Sequence, residues 1–156
     1  MRSLQINQIL FIDAFERDID FEDIYPYANF LDTETGEVVW LFEEDEDAQN
    51  IAGIKQEEND AVRKRIEASP GKYLEIPGLS HSEHHDILRE FLYSDWTDDS
   101  ELMTKAQQAY SGSIGRWKKA IDRRDAEHAY YEFRERKIME MADEFLHEHH
   151  IDPLWM

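Results

Sequence analysis

Three histidines, His81, His84 and His85, are spaced so that a helix would place two of their imidazoles on one side. Imidazoles four residues apart on a helix can chelate a divalent ion, so this segment is a candidate metal site. The surrounding residues match neither H-E-x-x-H nor H-x-x-E-H, the patterns of helical zinc proteases. Helical phase also aligns His84 with Ile87 and Leu88, which favours a histidine packed against the core. We therefore expect no cofactor and keep a metal-dependent hydrolase as an alternative.

Basic residues are concentrated in the segment 113–124, where they fall on one side of a predicted helix. Arg116, Lys119 and Arg123 follow one another at spacings of four residues or fewer, opposite the apolar face that carries Trp117. A row of cations of this kind can bind the phosphates of a ligand or of a nucleic acid. It can equally be a solvated face, or pair with the chain's own carboxylates. Phosphate or nucleic-acid binding is therefore a second alternative.

Arg134 lies in a predicted C-terminal helix at about 125–149, in phase with apolar residues such as Ile138 and Met141. Its side chain is therefore expected to point toward the apolar arc of that helix. A buried guanidinium needs a carboxylate or carbonyl partner, because an unpaired buried charge is very unfavourable. Arg134 is accordingly either a structural clamp or the anchor for a ligand.

Acidic residues dominate the chain, which has 36 Asp and Glu against 17 Lys and Arg and a net charge of -19. Five of them are consecutive, from Glu43 to Asp47. The run lacks the D-x-[DN]-x-[DN]-G pattern of a calcium loop, so we interpret it as a solvated surface or a site for a basic protein. The overall charge makes nucleic acid an unexpected partner for the molecule as a whole.

The predicted fold is α+β, with a small three-stranded antiparallel sheet. A hairpin at about 27–42 turns at Asp32 to Gly36, where Asp suits an Asx turn and Gly suits a positive φ. A third strand is predicted at about 72–76. The remaining elements are an N-terminal helix at 4–17 and later helices at 59–68 (capped by Asn59 or Asp60), 80–92, 100–110, 113–123 and 125–149. Ser80 and Glu83 form the capping-box pattern that opens the helix at 80.

The length of 156 residues predicts a single domain spanning 1–156. The chain has no cysteine, which excludes disulfides and thiolate chemistry. Its longest apolar run, Val38 to Phe42, is far too short for a membrane span, and the first residues lack the apolar region of a signal peptide. We therefore expect a cytoplasmic protein with no membrane partner.

Four segments together resemble an uncharacterised bacterial protein family, number 0158. Leu31 to Val38 resembles its hairpin motif LDxETGEV, and Tyr73 to Pro77 resembles its motif YxEIP. Ser113 to Lys118 is similar to its GAFRRFK, although Ser113, Ile114 and Gly115 depart from the small-residue pattern, and Tyr131 to Arg136 is similar to its WYAFRDER. The resemblance implies a shared fold and bacterial origin, and it implies no reaction.

The leading functional hypothesis is a non-catalytic, acidic, cytoplasmic protein that acts by protein–protein contact. The sequence has no nucleophile elbow, phosphate-binding glycine loop or dinucleotide fingerprint, so an enzyme is the less favoured class. The excess of acidic residues in the first 60 positions and the aromatic hairpin carrying Trp40 are typical of regulators or immunity-type inhibitors of basic enzymes, by analogy alone. The candidate contact residues are Trp40, Arg116, Lys119, Arg123 and Arg134. The partner's identity and the oligomeric state stay open.

Overall fold

A computed structural model describes residues 1–20 and 26–156. Within that part of the chain, the residues divide into two units with their own internal contacts. The first unit contains Met1–Leu79 and Ala142–Met156, and the second contains Ser80–Met141. The single domain predicted from the chain length stays a prediction.

The described residues confirm the α+β class. The strands are β1 (Arg2–Ile6), β2 (Tyr27–Asp32), β3 (Val38–Phe42), β4 (Tyr73–Ile76) and β5 (Ile151–Trp155). The helices are α1 (Gln8–Phe15), α2 (Asp45–Ala52), α3 (Gln56–Ala68), α4 (His81–Leu92), α5 (Ser100–Ala109), α6 (Ile114–Ile121) and α7 (Arg124–Glu148).

The predicted three-stranded sheet is present in the first unit, with strand order β3-β2-β4 and both pairs antiparallel. In its centre, Leu31 of β2 lies opposite Val38 of β3 on one side and Leu74 of β4 on the other. Leu31 is fully buried, as are Phe42 and Ile76 on the two edge strands. The alternating side chains of these strands therefore supply the apolar layer on which the first unit is built.

The hairpin turn depends on the buried carboxylate of Asp32, which is only 1% exposed. Its Oδ1 accepts hydrogen bonds from the backbone N–H groups of Glu34 and Thr35, at 2.9 and 3.2 Å. Burial alone raises the pKa of Asp32, but these bonds and Lys72 outweigh it and hold the pKa below its usual value. The carboxylate therefore stabilises the fold at neutral pH, and this contribution is lost as the pH falls through the lowered pKa.

The predicted N-terminal helix at 4–17 is wrong in its first part, because β1 occupies residues 2–6 and only α1 is helical. Leu4 and Ile6 are buried while their neighbours are exposed, which is the two-residue alternation of a strand. β1 pairs in parallel with β5, with Ile6 opposite Trp155. Asn7 then begins α1, because its side chain accepts a hydrogen bond from the N–H of Leu10 at 3.0 Å.

The second unit has an aromatic core built from α4, α5, α6 and the first part of α7. Phe91, Trp117 and Tyr130 meet edge to face, with ring centroids 5.4 to 6.1 Å apart. The indole N–H of Trp117 donates to the carbonyl of Ala106 at 3.0 Å, so its one polar atom is satisfied. The predicted capping box opens α4, with reciprocal 3.0 Å bonds between Ser80 and Glu83. These helices are thus fixed by both packing and capping.

Replacing Gly36 with Ala tests how closely the hairpin turn approaches β1. Gly36 has a φ of 82°, and a β-carbon there would lie 1.8 Å from the carbonyl oxygen of Gln5. We expect Gly36→Ala to lower the free energy of unfolding by about 3 kcal/mol or more, measured by urea denaturation. Gly53→Ala is the matched control, because Gly53 has a φ of 65° and open space around it. It should cost only about 1–2 kcal/mol, and equal losses in the two variants would contradict the close approach.

Candidate functional site

A group of exposed acidic residues in the described part of the first unit lies around α2 and the start of α3. We define the acidic surface as the exposed side chains of Glu43, Glu44, Glu46, Glu57 and Glu58. Acidic residues occupy the first turn of both helices, where the helix dipole favours negative charge. Among the ion pairs of the described residues, none involves these five carboxylates. Their negative charge therefore faces solvent.

The acidic surface is attached to the sheet by Asn59, a fully buried residue of α3. Its Oδ1 accepts from the N–H of Phe42 at 3.1 Å, and its Nδ2 donates to the carbonyl of Phe42 at 3.0 Å. The same Nδ2 donates to Oδ1 of Asp45 in the first turn of α2, at 2.9 Å. One amide thus holds β3, α2 and α3 together.

Arg63 reinforces this attachment from the next turn of α3. Its Nη2 donates to the carbonyl of Phe42 at 2.9 Å, and its Nη1 forms an ion pair with Asp60 at 2.7 Å. The prediction that Asn59 or Asp60 caps this helix is wrong, because the N-cap residue is Lys55 and the helix begins at Gln56. Asn59 therefore lies inside the first turns, where its side chain reaches the sheet instead of the helix end.

An exposed aliphatic residue accompanies the carboxylates on α2. Ile51 is 51% exposed and lies one helical turn after Asp47, on the same side of α2. Sequence reasoning did not single out Ile51, because the acidic run before it gave no sign that α2 would extend so far. The surface around α2 therefore combines charge with an apolar contact point.

Trp40, a predicted contact residue, lies half-buried on β3 of the first unit. Its ring stacks on Tyr27 with a centroid distance of 5.3 Å and also meets Phe42 at 6.3 Å. Arg17 lies over the other ring of this stack, 5.4 Å from the centroid of Tyr27. Trp40 therefore has a packing role on the hairpin, and its role in binding stays a prediction.

The three residues of the predicted basic row lie in α6 and just after it. They differ in whether they pair with a carboxylate of the chain. Arg116 and Lys119 are exposed, while Trp117 on the opposite side is buried. Arg123 makes two hydrogen bonds to Asp125, of 2.8 and 3.1 Å. This pairing raises the pKa of Arg123 and lowers that of Asp125 from their usual values. Arg123 is thus occupied by an internal carboxylate.

A groove of about 650 Å³ lies beside Arg123 in the second unit. Its charged side chains are Asp99 and Glu101 together with Lys105 and Arg123. Because two acids and two bases line this groove, it does not offer the uniform positive field that phosphate binding favours.

Arg134 is half-buried on α7 and hydrogen-bonds to the hydroxyl of Tyr130, one turn earlier. Burial raises the pKa of the Tyr130 phenol, and the neighbouring guanidinium offsets part of that rise. The contact places Arg134 at the border of the aromatic core of the second unit. The two predicted roles of Arg134, as a structural clamp and as the anchor for a ligand, both stay predictions.

The three histidines occupy the first turns of α4, with His84 and His85 buried and His81 exposed. Nε2 of His81 and Nε2 of His85 are 3.0 Å apart, and Nδ1 of His85 lies 2.5 Å from the hydroxyl of Tyr110. Within residues 1–20 and 26–156, no group of three or more His, Asp or Glu side chains could hold a metal ion. A metal-dependent hydrolase at these histidines stays a prediction.

The predicted site residues are divided between the two units. Trp40 belongs to the first unit, whereas Arg116, Lys119, Arg123, Arg134 and the three histidines belong to the second. Within the described parts of the chain, no helix has the length and apolar character needed to cross a membrane. No family model, curated protein or solved structure matches this chain. The resemblance to family 0158 therefore stays a prediction, and function must be argued from the chain's own geometry.

Replacing Asn59 with Asp tests whether its amide holds the acidic surface. The two side chains have nearly the same shape, but Asp cannot donate to the Phe42 carbonyl, and its charge would repel Asp45. We expect Asn59→Asp to lower the free energy of unfolding at pH 7 by about 2–4 kcal/mol, measured by urea denaturation. Asn50→Asp, at an exposed position of α2, is the control and should change it by about 0.5 kcal/mol or less. Similar effects of the two changes would count against the role of Asn59.

Proposed function

We propose that this chain is a non-catalytic cytoplasmic protein that binds a basic protein partner through the acidic surface. The observation that supports this best is five exposed carboxylates, none of which takes part in the ion pairs of the described residues. The chain has 17 Lys and Arg residues, so cations that could pair with these carboxylates are present in the sequence. Instead, the neighbouring Arg63 forms its ion pair with Asp60, and Arg65 forms one with Glu37.

Electrostatics explains what such a surface does. Like charges on adjacent helix turns repel one another, and a partner that brings Lys and Arg relieves this repulsion. At physiological salt, the attraction extends about 8 Å from the surface and accelerates the encounter with a basic partner. Because Asn59 fixes the carboxylates on the sheet, less conformational freedom is lost on binding than for a flexible acidic tail.

The exposed Ile51 supports the same proposal. Interfaces need a desolvated apolar centre as well as complementary charge, since rim charges alone contribute little affinity. Ile51 is 51% exposed on α2, the helix whose first turn carries Glu46 of the acidic surface. The profile of an acidic, preformed surface with an apolar contact suits a regulator or an immunity-type inhibitor of a basic enzyme.

Charge reversal at the acidic surface should abolish capture of the partner. We expect the wild-type chain, immobilised and exposed to native cytoplasm, to retain a basic protein whose binding weakens as salt rises. The triple variant E43K/E46K/E57K should lose it. The control E67K/E135K/E140K makes the same change in net charge at other exposed positions and should keep it. Quantitative mass spectrometry measures how much of the basic protein is retained by the wild-type chain, the triple variant and the control.

The same experiment separates the proposal from its main alternative. Arg116 and Lys119 are exposed and take part in no ion pair among those of the described residues, which favours phosphate or nucleic-acid binding as the second candidate. That alternative predicts loss of captured nucleic acid or phosphorylated ligand in R116E/K119E. Capture that depends on these two residues, and is unchanged in E43K/E46K/E57K, would contradict the proposed function.

A further inference from the structure

His81 and His85 form a pair of imidazoles one turn apart at the start of α4. Their Nε2 atoms are 3.0 Å apart, and their ring centroids are separated by 4.4 Å. His85 is only 5% exposed, while His81 faces solvent. This separation is that of an N–H···N hydrogen bond between the rings, and it also brings two imidazole nitrogens close enough to bind one metal ion in its place.

Tyr110, the C-cap residue of α5, controls the other nitrogen of the buried ring. Nδ1 of His85 lies 2.5 Å from the Tyr110 hydroxyl. When Nδ1 donates its proton to that hydroxyl, Nε2 of His85 carries the lone pair and points toward His81. Metal-binding histidines usually have this arrangement, in which an outer hydrogen bond fixes the tautomer and the orientation of the ring.

We propose that His81 and His85 bind a divalent transition-metal ion through their Nε2 atoms, with Tyr110 as the outer-sphere partner of His85. Two metal–nitrogen bonds of about 2.0–2.1 Å that span 3.0 Å enclose an angle of about 90–97°. This angle is close to the 90° of square-planar and octahedral geometry and well below the tetrahedral value. Cu(II) and Ni(II) adopt those geometries with nitrogen and oxygen ligands, so they are the preferred ions.

The site has two protein ligands, fewer than a closed structural metal site requires. The bound ion therefore exchanges with solution, and it links α4 to α5 through the hydrogen bond to Tyr110. This inference does not depend on the proposed binding of a basic protein.

Titration of the full chain, purified without a histidine tag, with Cu(II) tests the proposal. We expect isothermal titration calorimetry to show one tight equivalent, and electron paramagnetic resonance to show an axial Cu(II) signal with splitting from two nitrogens. His81→Ala removes an exposed ligand and should eliminate that equivalent. Tyr110→Phe leaves both ligands in place and should weaken binding by about 10- to 100-fold. Ni(II) should bind at the same position and compete with Cu(II).

The matched control removes histidines that lie elsewhere. His147 and His149 are exposed in the last turns of the chain's long helix and immediately after it, and they could also take up Cu(II). The variant H147A/H149A should retain the tight equivalent and its two-nitrogen signal. Loss of the equivalent in this variant with retention in His81→Ala would overturn the proposal. So would equal binding by the wild-type chain and His81→Ala, or no binding by the wild-type chain at all.

Discussion

The buried amide of Asn59 is the contact on which the acidic side of the first unit depends. A sheet edge exposes backbone donors and acceptors that must find partners. Phe42 is at such an edge, and Asn59 supplies both an acceptor for its N–H and a donor for its carbonyl, as a neighbouring strand would. Because the same amide also binds Asp45, the edge of the sheet, α2 and α3 are fixed by one side chain.

Carboxylates in this molecule divide into two groups with different physical roles. Asp32 and Asp45 are tied to backbone or amide groups and stabilise particular turns. Those of the acidic surface have no such role in the described structure, and their mutual repulsion opposes folding. Glu46, Glu57 and Glu58 gain a little stability from the helix dipoles, but this gain does not call for a cluster of five carboxylates on one surface. The clustering supports the binding role proposed above. The basic residues of the second unit divide in the same way. Arg123 is paired with Asp125, whereas Arg116 and Lys119 are exposed and have no ion pair among those of the described residues.

Local signals in the sequence were enough to predict the hairpin, the third strand and the capping box of α4. Each depends on residues close together in the chain, such as Asp32 and the turn it closes. The parallel pairing of β1 with β5 was missed because it joins residues more than a hundred positions apart. The role of Asn59 was missed for a related reason, since an asparagine near a helix start resembles a cap. The pairing of Arg123 with Asp125 could have been suspected, but only the structure shows it.

Amide hydrogen exchange at Phe42 tests the role of Asn59 most directly. Backbone groups along an antiparallel edge strand alternate between facing the sheet and facing outward. Phe42 faces outward to Asn59, and Trp40, two residues earlier, faces the same way. The Phe42 amide should therefore exchange far more slowly than the Trp40 amide in the wild-type chain. Equally fast exchange at the two positions would show that Asn59 does not complete the edge, and the account of the acidic surface as a fixed platform would be wrong.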